Sequence, residues 1–513
     1  MGSTFLGIDL GTSSVKVVLI DENKQVLQQA GREYEAQHPL PGWSEIDPDI
    51  WYDCMMDCLG ELFRHQDASL VRAVGVTGQM HTVVVLDADG NPVRPAIMWN
   101  DTRTHELIPD LKNTFSGYEE GNHLAGIVST GSPAANLYWI SREEPEHFRK
   151  IRKFVIGPDY LVYRLTGRLG TDYCEASTSS MYQIRAQKWS EEVRDLIGLE
   201  EDVYPRVCGS VESAGVILPE ICGRIGFARN VSVITGTGDN PASAVSTGCL
   251  GRGYPVLSLG TSGVLMMPLS SPDDTAKGKV ILFSEDGSRI SYLVQGVVQS
   301  TGESVTWWTR KVLGVEDLKR FSDGLEALSG DSGKPDTPAA RLLFYPHLAG
   351  DKTIYGDPNM KGAFIGLSAD TTAEDMFYAV MEGVSFAFRQ LMEEMHMPKC
   401  STLKVVGGGA RSNVWMQTLA NILNVRIERM EGMMGPGFGI ALLAMKSVMK
   451  EHSMETLADG AVRVERTFVP QGGAVEKCSA KYRSYLRIRT AMKYIEEGAD
   501  AAGLRDTAFS GAT

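Results

Sequence analysis

Apolar and polar positions along the chain predict a β-rich start. Residues 5–10 and 15–20 are apolar runs of strand length, and a third run, 26–30, follows the polar turn at 21–24. Gly11, Thr12 and Ser13 form the turn between the first two, so the opening reads as an antiparallel meander. Asp47 and Pro48 then supply an N-cap and a first helical residue. The helix they open carries Ile50, Trp51, Cys54, Met55, Cys58, Leu59 and Leu62 on one face. Residues 71–76 form the next strand, ending at Thr77, Gly78, Gln79, Met80 and His81, and 83–86 resume one. Antiparallel strands followed by alternating helix and strand predict a mixed α/β sheet.

Repetition organises the rest. Leu10-Gly11-Thr12-Ser13-Ser14-Val15 returns as Leu259-Gly260-Thr261-Ser262-Gly263-Val264, with five of six positions identical, about half the chain later. Apolar runs at 255–259 and 264–267 flank the second copy as strands flank the first. The same hairpin at the head of each half predicts two related domains, with the Gly-rich stretch 248–253 as the crossing. Beyond it we expect a strand at 290–294, a polar loop at 329–335 and a helix over 371–396. Met376, Val380, Val384 and Phe388 lie in register on that helix. Residues 403–406, 412–423 and 425–429 read as strand, helix and strand, 481–493 as helix, and 498–513 as a tail.

Composition narrows the function classes. The chain has 513 residues, 43% hydrophobic and 22% charged, which suits a soluble protein of two to four domains. Lys plus Arg is 50 against 64 Asp plus Glu, a formal charge of −14, which argues against a phosphate-backbone binder of nucleic acid. No apolar run approaches the ~20 residues that span a bilayer. The first residues carry no basic region ahead of an apolar core, so a cytoplasmic protein is expected. The eight cysteines include no Cys-x-x-Cys pair and no zinc spacing; Cys54 and Cys58 read as core thiols.

Several clusters can carry chemistry. A Gly-Thr-Ser turn presents backbone N–H groups and hydroxyls suited to phosphate oxygens, and two facing turns would grip a polyphosphate. Asp9 precedes the first turn where Ser258 precedes the second, and one carboxylate beside phosphates is what Mg²⁺ requires. Residues 407–413, Gly407-Gly408-Gly409-Ala410-Arg411-Ser412-Asn413, sit between strand and helix, where a helix N-terminus favours negative charge. Neither a Gly-x-x-x-x-Gly-Lys-Ser/Thr loop nor a Gly-x-Gly-x-x-Gly fingerprint occurs. Asp239 follows an apolar strand at 231–234, and two roles fit it. It helps to start a helix with Asn240 as cap and Pro241 as first residue, or it accepts the proton of an attacking hydroxyl. Met80 and His81, at a strand end, are either packing groups or ligands. Trp99, with Asn100, Asp101 and Arg103, is either a core residue beside a solvated turn or a sugar platform.

These motifs together resemble the FGGY carbohydrate kinases. The resemblance rests on residues 7–13, 78–81, 99–103, 238–240, 257–263 and 407–412, and on Gly362, Gly366, Leu367, Asp375, Ala379 and Glu382. Within the family the motifs are most like those of xylulose kinases. The resemblance implies an α/β fold of two duplicated actin-like, ribonuclease-H-type domains, each a mixed sheet flanked by helices, around a central cleft. It implies domains at 1–248 (sugar binding, with the catalytic Asp) and 249–485 (nucleotide binding), with 486–513 as helix end and tail. It implies ATP and Mg²⁺, with ATP-dependent phosphorylation of D-xylulose to D-xylulose 5-phosphate. Asp239 takes the catalytic-base position, and Asp9 acts through the metal. Met80, His81, Trp99, Asp101, Arg103 and Asn240 fall to the sugar. Gly11, Thr12, Ser13, Lys16, Gly260, Thr261, Ser262, Gly408, Gly409, Ala410 and Asn413 fall to ATP. A small-molecule sugar and ATP are the expected partners, with a homodimer as the expected protein association.

Three departures bear on specificity: Asn136 stands where the family usually has Lys, residues 350–354 replace a Gly-acid-Arg-Thr-Pro, and Gly437-Phe438-Gly439 varies a loop. The alternatives are a kinase for ribulose or glycerol, or an actin-like or chaperone-like ATPase of the same clan.

Overall fold

The computed structural model describes residues 2–273, 275–315, 341–431, 435–458 and 463–497. The expected loop at 329–335 and the tail at 498–513 lie outside them. The chain divides into two compact units. The first comprises Met1–Val256, Met266–Gln295 and Met430–Arg463; the second comprises Leu257–Leu265, Gly296–Arg429 and the chain from Val464 onward.

The meander forms as its alternation predicts. Strands β1 (Thr4–Leu10), β2 (Ser14–Asp21) and β3 (Val26–Glu33) pair antiparallel, with Asp9 opposite Lys16. Strand β4 (Val71–Gly78) lies parallel to β1 on its other side, which makes the sheet mixed. Strands β5 (Ser213–Val216), β6 (Ser232–Ile234) and β7 (Thr237–Gly238) complete a seven-stranded sheet. Its order is β5-β6-β4-β1-β2-β3, with β7 extending the ladder on β4.

Helix α1 (Pro48–Leu62) is capped by the Asp47 side chain, which accepts the Asp49 N–H. It buries Trp51, Met55, Cys58, Leu59 and Leu62 against Leu6, Ile8, Val15 and Val17 of the sheet. Cys54 and Cys58 are both free thiols, consistent with a packing role. Helix α2 (Asp239–Ser246) follows β7 directly. It begins two residues earlier than the sequence suggests. Gly238 is still paired with Gly78, so the chain turns from ladder into helix there, and Gly238 rather than Asn240 is the N-cap.

In the second unit, β8 (Val256–Leu259) and β9 (Gly263–Leu269) carry the repeated turn. The first unit holds the antiparallel hairpin of β10 (Lys279–Phe283) and β11 (Ser291–Val298) up to Gln295. Helix α3 (Ala373–Glu394) has a capping box between Thr372 and Asp375 and buries Val380, Val384 and Phe388. Strand β12 (Thr402–Val406), helix α4 (Asn413–Leu423) and strand β13 (Arg426–Met430) form a parallel crossover, with Ser412 capping α4. Strand order in this unit is β9-β8-β12-β13-β14, where β14 is Val464–Phe468. The basic stretch predicted as one helix is two, Gly472–Leu486 and Ile488–Glu497, meeting at Arg487.

Helix α5 (Pro436–Val448) returns to the first unit and lies on its sheet. Glycines permit the approach. A Cβ on Gly7 would stand 2.0 Å from the Gly437 carbonyl oxygen, and one on Gly439 would stand 1.9 Å from that of Ala242 in α2. The departure at 437–439 is therefore a packing surface between β1 and α2, the two elements that carry Asp9 and Asp239.

Candidate active site

Asp9 lies on β1 one residue before the strand ends and is half-buried. Burial raises its carboxyl to about 6, with the charge of Lys16, its cross-strand partner, opposing the rise. Asp239 is the first residue of α2. Burial raises it to about 7, and the negative charge of Asp9 adds to that rise. Two carboxylates from opposite ends of a large domain thus share one electrostatic environment. A carboxylate near neutrality is suited to take a proton at physiological pH.

Around Asp239 the structure gathers Met80, His81 and Asn240. The Asn240 side-chain Nδ2 donates to Gln295 Oε1 (2.9 Å) and contacts Met80 Sδ (3.4 Å). A Cβ on Gly238 would collide with Met80 Cγ at 2.7 Å and Cys174 Sγ at 2.9 Å, so glycine here lets that cluster close on the head of α2. His81 has φ +74°, the left-handed region, and its backbone N–H points to Glu175 Oε2 at 3.4 Å. Its ring Nε2 lies 2.7 Å from Lys279 Nζ. Glu175 is fully buried, and burial, then the charges of Asp159, Asp172 and Asp239, push its carboxyl well above the usual range.

The first hairpin turn closes with Gly11 N–H donating to Ser14 O at 2.9 Å, and Tyr34 N–H donating to Ser13 O at 3.0 Å. Trp99, 39% exposed, donates its indole Nε1 to Thr12 Oγ1 (3.0 Å). The aromatic expected at the sugar is thereby tied to the turn expected at the phosphates. Asp101 and Arg103, expected at the sugar, engage one another and the 42–45 segment. Asp101 accepts from the Ser44 N–H (2.6 Å) and from Arg103 through Nε (2.9 Å) and Nη2 (2.8 Å). The Arg103 guanidinium also pairs with Glu45 (2.7 Å) and lies 3.7 Å over the Trp43 ring. Both side chains are buried, so this pair braces the 42–45 segment. Asn136, also fully buried, donates to Gly131 O at 3.2 Å.

In the second unit, Gly260 N–H donates to Ser262 O at 3.1 Å, closing the repeated turn. The Gly260 carbonyl accepts from Gly302 N–H (3.0 Å), and the Thr261 carbonyl accepts from Thr301 (3.2 Å) and Glu303 (3.0 Å). These bonds fix the turn from behind. Gly407 (φ +97°) leads into a helical turn, Gly408–Arg411, and a Cβ on it would stand 2.6 Å from the Leu259 carbonyl oxygen, so only glycine lets the backbone lie that close. Arg429 holds this loop, donating through Nη1 to Ala410 O (3.2 Å), Arg411 O (3.4 Å) and Asn413 Oδ1 (3.0 Å).

Sequence reasoning missed Lys279, Gln295, Glu175 and Arg429. Each acts on a motif residue from far along the chain, and no local pattern marks such a contact. Among the described residues, no cluster of three or more His, Cys, Asp or Glu side chains could hold a metal by protein ligands alone. No described helix is long and apolar enough to cross a membrane.

Comparison with known proteins gives the arrangement its family. The N-terminal domain of the FGGY family of carbohydrate kinases matches residues 4–246, and the C-terminal domain matches residues 256–448. The xylulose kinase of Bacillus subtilis (strain 168) is 31% identical over 497 residues, covering 95% of this chain and 97% of its own. That of Escherichia coli (strain K12) is 33% identical over 462 residues, covering 88% and 91%. A crystal structure of a xyloylose kinase from Brucella ovis superposes with a TM-score of 0.86 at 30% identity, over 96% of this chain and all of that one. The two sheet-bearing units agree with the mixed α/β, actin-like fold expected from the motifs. The chain belongs to the FGGY family of carbohydrate kinases.

Proposed function

We propose that this kinase transfers the γ-phosphoryl group of ATP to D-xylulose, giving D-xylulose 5-phosphate and ADP. The observation that carries the chemistry is Asp239. It heads a helix beside Asn240, Met80 and His81, with a carboxyl raised to about 7. The choice of sugar is supported by the xylulose kinases that resemble the chain over most of its length.

In this mechanism Asp239 accepts the proton of the sugar's terminal hydroxyl. The hydroxyl oxygen forms a bond to the γ-phosphorus, and the bond from that phosphorus to the β,γ-bridging oxygen breaks, so ADP departs with the electron pair. Met80, His81 and Asn240 hold the ketose, with Trp99 as the adjoining aromatic surface. The turn at Gly11, Thr12 and Ser13, with Lys16, and the turn at Gly260, Thr261 and Ser262 bind phosphates through N–H groups and hydroxyls. Gly408, Gly409, Ala410 and Asn413 take the adenosine. Asp9 and Asp239 place two carboxylates in one field, a repulsion that a divalent cation relieves. Asp9 would hold Mg²⁺ with nucleotide phosphates and waters, and the ion would neutralise phosphate charge there. The proposal keeps the sugar-binding domain within 1–248 and the nucleotide-binding domain within 249–485. It places the enzyme in the cytoplasm and leaves a homodimer to be read by size-exclusion chromatography.

ADP release measured across ketoses and polyols tests the assignment. The highest kcat/KM is expected with D-xylulose. A preference for ribulose or glycerol would move the enzyme to another branch, and sugar-independent ATP hydrolysis would remove it from sugar metabolism.

A further inference from the structure

Two residues outside every recognised motif converge on the sugar-site candidates. Lys279 and Gln295 are cross-strand partners at one end of the β10–β11 hairpin. Lys279 Nζ lies 2.7 Å from His81 Nε2, and Gln295 Oε1 accepts from Asn240 Nδ2 at 2.9 Å. Gly278, at φ +106°, precedes Lys279, and a Cβ there would press on Gln295 O at 2.9 Å. Glycine lets the hairpin end close so that both side chains leave it together.

We infer that Lys279 and Gln295 are a positioning pair that fixes the hydrogen-bond polarity of the sugar pocket. An ammonium has three donors and no acceptor, so the atom facing it must accept. His81 Nε2 therefore carries a lone pair, and the ring proton resides on Nδ1. His81 is then a donor at Nδ1. Asn240 is fixed in the opposite sense. The Met80 thioether can only accept, so the Asn240 NH₂ faces it and Gln295 Oε1, and Oδ1 is the acceptor it offers. A sugar bound against these side chains would meet one set donor, His81 Nδ1, which is enclosed in this structure, and one set acceptor. Such a pattern discriminates among polyhydroxyl compounds by which oxygen accepts and which hydroxyl donates. The backbone of His81 is held separately by Glu175, so ring orientation and tautomer are what Lys279 controls.

This inference rests on the assignment of His81 and Asn240 to the sugar, and the test separates the two. Ring ¹⁵N NMR on full-length protein labelled at histidine reads the tautomer, with His81→Asn identifying the resonance. The Nδ1–H form is expected for the wild type and Lys279→Arg, and a shift toward Nε2–H for Lys279→Met. In kinetics Lys279→Met should raise KM for xylulose by about 10-fold or more, the worth of one charge-assisted hydrogen bond. KM for ATP should stay within about twofold of the wild type, and Lys279→Arg should restore the sugar KM. Gln295→Leu should raise the sugar KM while leaving the tautomer intact. Should Lys279→Met fail to fold, Lys279→Ala with added methylamine supplies the same comparison. An unchanged tautomer in Lys279→Met overturns the inference, as does an unchanged sugar KM beside a changed tautomer. If no ketose is phosphorylated by the wild type, the functional assignment fails, while the tautomer comparison still decides the role of Lys279.

Discussion

The charge of Asp9, on the first strand, raises the proton affinity of Asp239, at the head of a helix from the far side of the same unit. The packing that joins them is explicit. Helix α5 touches the two elements that carry them, through Gly437 beside Asp9 on β1 and Gly439 against Ala242 of α2. The charge of Asp9 acting on Asp239 ties the titration of the second carboxyl to the state of the first. In a kinase that arrangement keeps a proton acceptor poised near neutrality and leaves negative charge for a cation to offset.

The pairing sets the pH profile. The proposed mechanism needs Asp239 ionised, and its carboxyl is raised to about 7, so kcat/KM for the sugar should fall as pH drops through that value. Asp9→Asn deletes the neighbouring charge and lowers the affinity of Asp239 for its proton. The acid limb should then move to lower pH, although turnover itself is much reduced. Rate measurements from pH 5 to 9 on both proteins check this, and an acid limb in Asp9→Asn that does not move would uncouple the two residues.

Asp239→Asn should cut turnover by about 10²–10⁴, the usual worth of general-base help. Asn begins helices well, so melting temperature and xylulose affinity by calorimetry should stay near the wild type. A folded variant that retains more than roughly a tenth of the wild-type turnover would falsify the proton-acceptor role.

What was legible in the sequence, and what was not, follows from range. The hairpins, α1 with its Asp47 cap, α3 with its register and the Ser412 cap are local patterns, and each appears within a few residues of its expected place. Asp9, Met80, His81 and Asp239 stand out because strand ends and turns mark them. Their supports do not. Lys279 reads as an ordinary residue beside a glycine, and Gln295 lies just past an expected strand; only tertiary packing carries them to His81 and Asn240. Asp101 and Arg103 illustrate the converse. A Trp beside an acid and a guanidinium suggests a sugar platform, and nothing local shows that Glu45 and Trp43, far upstream, engage Arg103.

Arg429 should matter to nucleotide binding without touching the sugar pocket. It joins Ala410 O, Arg411 O and Asn413 Oδ1, and its other terminal nitrogen pairs with Glu465 at 3.0 Å. Losing that fork frees the loop. Arg429→Met is expected to raise KM for ATP by about 10-fold, one to two hydrogen bonds' worth, and leave KM for xylulose unchanged. Lysine should not rescue it, because a single ammonium cannot span the same acceptors. Equal changes in both Michaelis constants would indicate a general loss of structure instead.

Glu175 supports a prediction about stability. Its carboxyl is fully buried, accepts the His81 N–H through Oε2, and has no partner among the described residues at Oε1. Burial, then the charges of Asp159, Asp172 and Asp239, raise its pKa well above the unfolded value of 4.5. A raised carboxyl favours the folded state fully only below the unfolded pKa, and that contribution is lost as pH climbs toward the folded one. In that window the wild type should lose up to about 1.4 kcal/mol per pH unit from this group alone. Glu175→Gln keeps the shape and an acceptor for His81 but cannot ionise. The variant should therefore match the wild type near pH 4 and become progressively more stable than it as pH rises. Denaturant melts of both proteins at pH 4, 6 and 8 measure the difference. A gap that narrows with increasing pH would mean that Glu175 is stabilised as its anion, with a cationic partner supplying the compensation.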